Sequence, residues 1–143
     1  MTETSVKGGL DLNTKLSIHI VGIGGAGMRA IGLVLATMGH SITGSDLKSS
    51  AGLDRLAAAG IKVSIGHERH NVGQIDLVAR STAVADENIE IREARDRGIP
   101  VVSRADILSA ITRIKPTVSV AGTHGKTTTS SILAVLLAQA NLN

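Results

Sequence analysis

The sequence of 143 residues has no cysteine, phenylalanine, tyrosine or tryptophan, and it has only two prolines. The lack of cysteine excludes disulfides, thiolate metal sites and a cysteine nucleophile. The lack of aromatic residues means that a core has to be built from aliphatic side chains and methionine. It also removes the base stacking that proteins binding single-stranded nucleic acid use, and so disfavours that class of function.

Charge clusters and long apolar runs are also missing. The net charge is +3, and the 15 lysine and arginine residues are scattered along the chain, which is typical of a solvated surface. Residues 1–15 are polar and lack the apolar segment of a signal peptide. No apolar run has the length needed to span a bilayer. With 43% hydrophobic and 19% charged residues, the composition is that of a globular protein, and we expect a cytoplasmic location.

The sequence does have a regular alternation of short β-branched runs and helical patterns. This alternation predicts an α/β fold, a Rossmann-like doubly wound parallel sheet with helices on both faces. We divide the chain into a flexible arm at 1–16, a Rossmann-like domain at 17–115 and the start of a second domain at 116–143. The second domain is predicted to open with a strand at 117–121, followed by a glycine loop and an apolar helix at 130–140.

The first glycine loop lies between a predicted strand and a predicted helix. The run Gly22-Ile23-Gly24-Gly25-Ala26-Gly27 fits the pattern G-x-G-x-x-G, whose glycines permit a tight turn, close approach of a diphosphate and close helix packing. The helix N-terminus adds free N–H groups and a partial positive charge. Asp46 follows the second strand, 19 residues after Gly27, where such folds often bind a ribose; a simple Asx turn is the alternative. The loop therefore predicts a diphosphate ligand, but NAD, FAD and UDP-sugars all satisfy the pattern.

The second glycine loop, residues 122–128, precedes the final helix. The strict P-loop pattern fails, because Val120 occupies the position of its first glycine. The shorter GT-x-GKT form keeps the same working parts. Backbone N–H groups cradle phosphates, Lys126 reaches the β- and γ-phosphates, and the Thr127 hydroxyl binds Mg²⁺. The loop therefore predicts ATP binding, and His124 is either a nucleotide contact or a loop residue without a chemical role.

Together and in this order, the two loops resemble those of the Mur ligases of peptidoglycan synthesis, and among these the UDP-N-acetylmuramate–L-alanine ligases. The similar segments are 20–28, 43–46, 65–67, 97–101 and 121–129, and the resemblance covers residues 17–141. In that family the first domain holds the UDP part of UDP-N-acetylmuramate, and the GTHGKT loop belongs to a central ATPase domain. There ATP and Mg²⁺ convert the substrate carboxylate to an acyl phosphate, which the amine of L-alanine attacks.

The resemblance also implies roles for individual residues. Lys126 would be catalytic, and Thr127 would be the Mg²⁺ ligand. The residues implied to bind the UDP-sugar are Gly22, Ile23, Gly24, Gly25, Ala26, Gly27, Met28, Asp46, Ser81, Thr82 and Ala83. Those implied to bind ATP are Gly122, Thr123, His124, Gly125, Lys126, Thr127 and Thr128. Arg29 and Arg80 depart from the small and apolar residues that the family pattern leads us to expect.

The chain thus looks like the amino-terminal part of such a ligase, ending just after the ATP loop. We expect it to bind the UDP-sugar, to bind ATP weakly and to lack ligase activity. The final helix is apolar on most sides, so self-association is also expected. His67 and His70 are interpreted as surface-loop residues, since two histidines without a third ligand are weak evidence for a metal site.

Other functions also fit parts of the pattern. A dehydrogenase that binds NAD, or a nucleotide-sensing domain, would share the first loop but has no use for Lys126 and Thr127. An interaction module, in which both loops are purely structural, would bind no nucleotide. Within the ligases, a sister enzyme that recycles the cell-wall tripeptide is a further alternative.

Overall fold

A computed structural model of the chain describes residues 10–50 and 52–142. Within these residues it has five strands and five α-helices. The strands are β1 (Ser17–Val21), β2 (Ser41–Asp46), β3 (Lys62–Ile65), β4 (Leu77–Arg80) and β5 (Val101–Ser103). The helices are α1 (Ala26–Thr37), α2 (Leu53–Ala58), α3 (Ile89–Asp96), α4 (Arg104–Ile114) and α5 (Lys126–Gln139), and a 3-10 turn lies at Arg69–Asn71.

The strands form one parallel sheet in the order β3-β2-β1-β4-β5. Strand β1 is central, with Ile18 opposite both Ile42 of β2 and Leu77 of β4. From β1 the chain first builds outward to β2 and β3, and then crosses to the other side for β4 and β5. This reversal opens a crevice at the carboxyl ends of β1 and β4, where open α/β sheets bind ligands. The predicted doubly wound fold is confirmed.

Two aliphatic clusters cover the two faces of the sheet. Side chains alternate along β1, so Ile18 and Ile20 join one cluster and Val21 joins the other. The first cluster includes residues of α1, α2 and α4, and the second includes Ile91 and Ala94 of α3. Both clusters contain aliphatic residues, with Met28 adding the only thioether among the described buried core residues, so the sheet is buried on both faces without any aromatic ring.

Helix α4 begins with the capping pair that the sequence predicts. The Ser103 side chain accepts a hydrogen bond from the Asp106 N–H at 3.2 Å, and the Asp106 carboxylate accepts one from the Ser103 N–H at 2.8 Å. The Ser103 hydroxyl also donates to the Asp106 carboxylate at 2.6 Å, and this bond together with the one from the Ser103 N–H lowers the pKa of Asp106. The reciprocal arrangement satisfies two N–H groups and so fixes where β5 ends and α4 begins.

The predicted flexible arm at 1–16 is partly corrected by the structure. Residues 1–9 lie outside the described residues, but within 10–16 the side chains of Leu10, Leu12 and Leu16 pack against the domain. Leu12 is 4% exposed and belongs to the first cluster. The Leu16 N–H donates to Nδ1 of His40 at 3.1 Å, and burial lowers the pKa of His40. Residues 10–16 are therefore ordered by apolar burial and by a neutral histidine acceptor.

The predicted strand at 117–121 is not formed. Within the described residues this segment pairs with no strand, and Val118 is 67% exposed. A strand needs a neighbouring strand to pair its backbone groups, and the edge strand β5 pairs only with β4. Helix α5 begins at Lys126, four residues earlier than expected, and has no buried residue. Among the described residues, neither α5 nor any other helix is long and apolar enough to cross a membrane.

Helix α5 leads to a prediction about association. Ile132, Val135 and Leu136 are each more than half exposed, and their spacing places them on one face of the helix. We expect the chain to self-associate through this stripe because contact between copies would remove it from water. Light scattering over a range of concentrations should show a rising average mass. The double variant Ile132→Glu/Leu136→Glu should stay monomeric.

The control for this experiment is Leu108→Glu. Leu108 is an exposed leucine of α4, so the substitution adds a charge without touching α5, and association should persist. A monomer at all concentrations in the unaltered chain would contradict the prediction.

Candidate functional site

A cleft of about 370 Å³ lies at the carboxyl ends of the central strands. It is where the order of strands in the sheet reverses, between the first glycine loop and the residues that follow β2 and β4. Its lining residues are Gly22, Gly24, Gly25, Asp46, Leu47, Lys48, Ser50, His67, Ser81, Ala83 and Val84. Six of these are among the residues predicted to bind a UDP-sugar: three loop glycines, Asp46, Ser81 and Ala83.

The first glycine loop is held by the backbone of β2. The N–H groups of Gly22 and Ile23 both donate to the Ser45 carbonyl, at 2.8 and 3.1 Å. Gly22 has φ +80°, and a Cβ on it would lie 3.0 Å from side-chain atoms of both Ser81 and Val84. Only glycine adopts this left-handed conformation without strain. The turn therefore requires Gly22 for its conformation and for its space.

Asp46 lies directly over the loop. Its Oδ2 accepts a hydrogen bond from the Gly24 N–H at 2.8 Å, and its Oδ1 accepts one from the Lys48 N–H at 3.3 Å. A Cβ on Gly24 would come within 2.7 Å of Oδ2, so the missing side chain is what allows the contact. The bond from the Lys48 N–H closes the Asx turn that was the alternative role predicted for Asp46. Asp46 thus shapes the loop and at the same time presents a carboxylate to the cleft.

Five of the residues predicted to bind a UDP-sugar do not line the cleft. Ile23 and Met28 are buried in the first aliphatic cluster, so their side chains cannot meet a ligand there. Ala26 lines a neighbouring depression of about 540 Å³. Gly27 lies beneath the guanidinium of Arg104, and Thr82 is exposed at the rim. Among these five, Ile23 and Met28 could offer a ligand only backbone groups.

The two arginines that depart from the family pattern have structural surroundings. Arg29 lines the neighbouring depression, and its guanidinium packs against Gly52 in a space that a Cβ there would fill. Arg80 ends β4 and contacts Asp86 at 3.1 Å. That ion pair is one of the influences that lower the pKa of Asp86, after a hydrogen bond from Arg95. Both arginines thus occupy space next to the cleft without entering it.

A buried polar cluster lies beneath the cleft, centred on Glu90 in the first turn of α3. The Glu90 side chain has no solvent exposure. Its Oε2 accepts from the Ser45 hydroxyl at 2.5 Å and lies 3.1 Å from Nδ1 of His67. Its Oε1 accepts from the Asn71 side chain at 2.6 Å and from the Glu68 N–H at 3.2 Å. Nε2 of His19 is 3.6 Å from Oε2.

These contacts keep Glu90 ionised. Burial by itself raises the pKa of a carboxyl group, because it disfavours the charged form. The nearby His19 imidazole and the hydrogen bonds from Ser45 and Asn71 outweigh burial and lower the pKa of Glu90 to about 2. A buried negative charge is therefore a permanent feature of the domain at neutral pH.

The two histidines that were predicted to be surface-loop residues differ in their exposure. His70 is 76% exposed and contacts Glu68 at 3.1 Å, in agreement with a surface loop. His67 is only 12% exposed, contacts Glu90 and lines the cleft, so the surface interpretation is wrong for this residue. Within the described part of the chain, no group of three or more acidic or histidine side chains is arranged to hold a metal ion.

The second glycine loop is separate from the cleft. Every residue from Gly122 to Thr128 is exposed. The Lys126 ammonium donates to two carbonyls of its own loop, those of Gly122 at 2.5 Å and Thr123 at 3.2 Å. A phosphate that binds Lys126 would therefore have to replace these two carbonyl groups as its hydrogen-bond acceptors. None of the cleft residues comes from this loop.

Sequence reasoning missed several functional candidates, chiefly His67, Ser45 and Glu90. A signal existed for His67, because it follows β3 and the carboxyl ends of parallel strands meet at one edge. No signal existed for Glu90, since an acidic residue in the first turn of a helix is ordinary. Its burial depends on how α3 packs on the sheet, which periodicity does not reveal.

Comparison with protein families and curated proteins gives a consistent result. A family model described as "Mur ligase family, catalytic domain" matches residues 17–115. A UDP-N-acetylmuramate–L-alanine ligase of Solidesulfovibrio magneticus is 47% identical over 128 residues, which is 90% of this chain and 28% of the relative. The corresponding ligase of Hyphomonas neptunium is 54% identical over 125 residues, 87% of this chain and 26% of the relative. The chain thus spans about a quarter of the length of these relatives.

Solved structures show the same fold. The UDP-N-acetylmuramate–alanine ligase of Thermotoga maritima has a TM-score of 0.81 at 33% identity, covering 88% of this chain and 30% of that one. A murein peptide ligase of Psychrobacter arcticus has a TM-score of 0.82 at 32% identity, covering 88% and 27%. The fold does not distinguish between these two kinds of ligase.

The tight turn leads to a prediction about stability. Gly22→Ala forces a Cβ into the left-handed region and against Ser81 and Val84, so we expect a loss of about 2 kcal/mol or more in the free energy of unfolding. The control is Gly73→Ala, because a Cβ there meets nothing within 4 Å. Urea unfolding should show a change within about 0.5 kcal/mol for the control. Equal effects of the two substitutions would contradict the role of Gly22.

The buried carboxylate leads to a prediction about pH. Because the pKa of Glu90 is lowered from 4.5 to about 2, its ionised form stabilises the fold above about pH 4.5, and this contribution is lost as the pH falls toward 2. Glu90→Gln should therefore be less stable than the unaltered chain at pH 7, by on the order of 3 kcal/mol. The difference should shrink steadily below pH 4.5.

Urea unfolding at several pH values measures this difference. Glu87→Gln removes an exposed carboxylate just before α3 and should leave the pH profile unchanged. A difference between Glu90→Gln and the unaltered chain that stays constant down to pH 2.5 would show that folding does not lower the pKa of Glu90.

Proposed function

The chain belongs to the Mur ligase family, and we propose that residues 17–115 bind the UDP part of UDP-N-acetylmuramate in a ligase that joins this sugar to L-alanine. The observation that carries the proposal is the cleft at the sheet reversal, bordered by a glycine turn and an aspartate. The UDP-N-acetylmuramate–L-alanine ligases that are 47–54% identical support alanine as the partner amino acid.

The cleft has the chemistry for a nucleoside diphosphate. The first N–H groups of α1 have no partner within the helix, and a helix N-terminus of this kind can bind an anion. Gly24 and Gly25 leave the backbone bare at this point, so phosphate oxygens can approach it closely. Asp46, His67 and Lys48 supply polar groups to the same cleft. The volume of about 370 Å³ lies in the usual range for small-molecule sites.

We further propose that residues 116–143 belong to an ATP-binding domain, with Lys126 on the β- and γ-phosphates. The donor set fits a phosphate, because the loop offers an ammonium group and the N-terminus of α5. For Mg²⁺ the proposed ligand is the Thr127 hydroxyl, and the loop has no carboxylate, whereas a magnesium ion takes about six oxygen ligands. When bound, ATP and Mg²⁺ supply the activated phosphoryl group for the sugar carboxylate.

This chain alone is proposed to bind the UDP-sugar without catalysing the ligation. The second loop is fully exposed, so nothing in the described residues excludes water from a phosphoryl group held there. Lys126 and the first cleft also share no lining residue, and the described residues therefore do not bring the two substrates together.

Calorimetric titration of the purified chain tests the proposal. UDP-N-acetylmuramate should bind, NAD should not, and ATP should bind weakly or not at all. Gly24→Ala pushes a Cβ against the Asp46 carboxylate, and Asp46→Asn removes the charge over the loop. Each should weaken UDP-sugar binding about tenfold or more, which corresponds to roughly 1.4 kcal/mol.

The matched control is Gly73→Ala, which lies outside the cleft and should bind like the unaltered chain. Binding of NAD in place of the UDP-sugar would favour a dehydrogenase or a nucleotide sensor. If the unaltered folded chain does not bind the UDP-sugar, the proposed role of residues 17–115 is wrong.

A further inference from the structure

We propose that Glu90 and Ser45 are positioning residues that fix the His67 imidazole with its proton on Nδ1, so that Nε2 faces the cleft as a hydrogen-bond acceptor for the nucleoside. The inference rests on the proposed function, because it specifies how the nucleoside of the bound UDP is recognised. The ligand chemistry is a hydrogen-bond donor, which a ribose hydroxyl or the uracil N3–H can supply.

The position of the proton follows from the donors and acceptors around Nδ1. This atom lies 3.1 Å from Glu90 Oε2 and 3.0 Å from the Ser45 hydroxyl oxygen. The Ser45 hydroxyl donates its single proton to Glu90 at 2.5 Å, so toward His67 its oxygen is an acceptor. An ionised carboxylate is also only an acceptor. With two acceptors facing Nδ1, the imidazole has to carry its proton there.

The opposite edge of the ring faces the cleft. His67 is 12% exposed and lines the cleft, while its Nδ1 edge contacts a fully buried carboxylate. Among the described residues, the buried side-chain nitrogens without a partner belong to His19 and His40, not to His67. Nε2 of His67 is therefore accessible, and in the neutral Nδ1–H tautomer it carries a lone pair.

The carboxylate that orients His67 is itself held from several sides. Asn71 and the Glu68 N–H bond its other oxygen, and the Asn88 side chain accepts from the Glu90 N–H at 2.9 Å and so caps α3. His19 also faces the carboxylate, and its Nδ1 lies 2.9 Å from the Thr43 hydroxyl. Because both oxygens are occupied, Glu90 cannot turn away from His67. This rigidity makes it a positioning group for the ring.

A fixed acceptor gives selectivity in the cleft. Asp46 presents a second acceptor on the same side, and its Oδ2 is already bonded to the Gly24 N–H. Two neighbouring acceptors favour a ligand edge that carries donors and disfavour one that carries only acceptors. A nucleoside has such an edge in its ribose hydroxyls and, for uracil, in the N3–H.

The tautomer is measured first, in the full chain without ligand. With ¹⁵N-labelled histidine at about pH 8, where an ordinary histidine is neutral, NMR distinguishes protonated from unprotonated ring nitrogens. His67 should show a protonated Nδ1 and an unprotonated Nε2. Glu90→Gln should lose this preference, because a glutamine amide and a released Ser45 hydroxyl can both donate to Nδ1. Glu87→Gln is the matched control and should keep it.

Binding of UDP is measured next. His67→Ala and Glu90→Gln should each weaken UDP binding about tenfold, the effect of losing one well-placed hydrogen bond. His70→Ala, which removes an exposed histidine three residues away, should bind like the unaltered chain. Two analogues identify the donor: 2′-deoxy-UDP lacks one ribose hydroxyl, and 3-methyl-UDP lacks the N3–H. The analogue without the relevant donor should bind equally weakly to the unaltered chain and to His67→Ala.

The outcomes separate this inference from the proposed function. A proton on Nε2 of His67 in the unaltered chain would overturn the inference, as would unchanged UDP binding by His67→Ala. If the unaltered chain binds no UDP, the proposed function fails, and the NMR result alone then decides whether Glu90 fixes the tautomer. Should Glu90→Gln not fold, Ser45→Ala replaces it. That variant removes one of the two acceptors and should weaken the Nδ1–H preference without removing the carboxylate.

Discussion

The pairing of β1 with β2 ends at Ser45, and both sides of the site depend on this residue. Its carbonyl accepts the N–H groups of Gly22 and Ile23, which fixes the glycine turn above the sheet. Its hydroxyl donates to Glu90, which fixes the buried cluster below the cleft. The parallel register places Ser45 opposite Val21, the last residue of β1. Turn, aspartate and buried carboxylate are thus all positioned by one strand end.

The buried cluster places a charged carboxylate in a domain whose core is otherwise aliphatic. An unpaired carboxylate at this depth would be strongly destabilising. Glu90 avoids that destabilisation because five groups donate to its carboxylate or face it, from β1, β2, the 3-10 turn and the loop after β3. A polar network that is nearly saturated holds its members in one arrangement, whereas aliphatic side chains tolerate repacking. This rigidity lies directly under the part of the cleft that His67 lines.

The two glycine loops show how much a motif depends on its support. The first loop is bonded to β2 and backed by Ser81 and Val84, so its backbone is held in place before the N-terminus of α1. The second loop has an equally suggestive sequence, but its residues are exposed and its lysine bonds its own carbonyls. Among the described residues, the segment before it pairs with no strand of the sheet. Of the two glycine loops, only the one that the sheet holds is organised.

The sequence by itself determined the order of strands and helices from β1 to α4, the capping pair at Ser103 and the two glycine loops. These features are local, since they follow from periodicity, from glycine placement and from side chains that bond within three residues. Only the tertiary structure decided that Ile23 and Met28 face the core, that Leu12 packs on the domain, and that Glu90 lies buried against His67. Those outcomes depend on which elements pack together across the sheet. Residues distant in sequence meet there, and no local pattern specifies which of them will be buried.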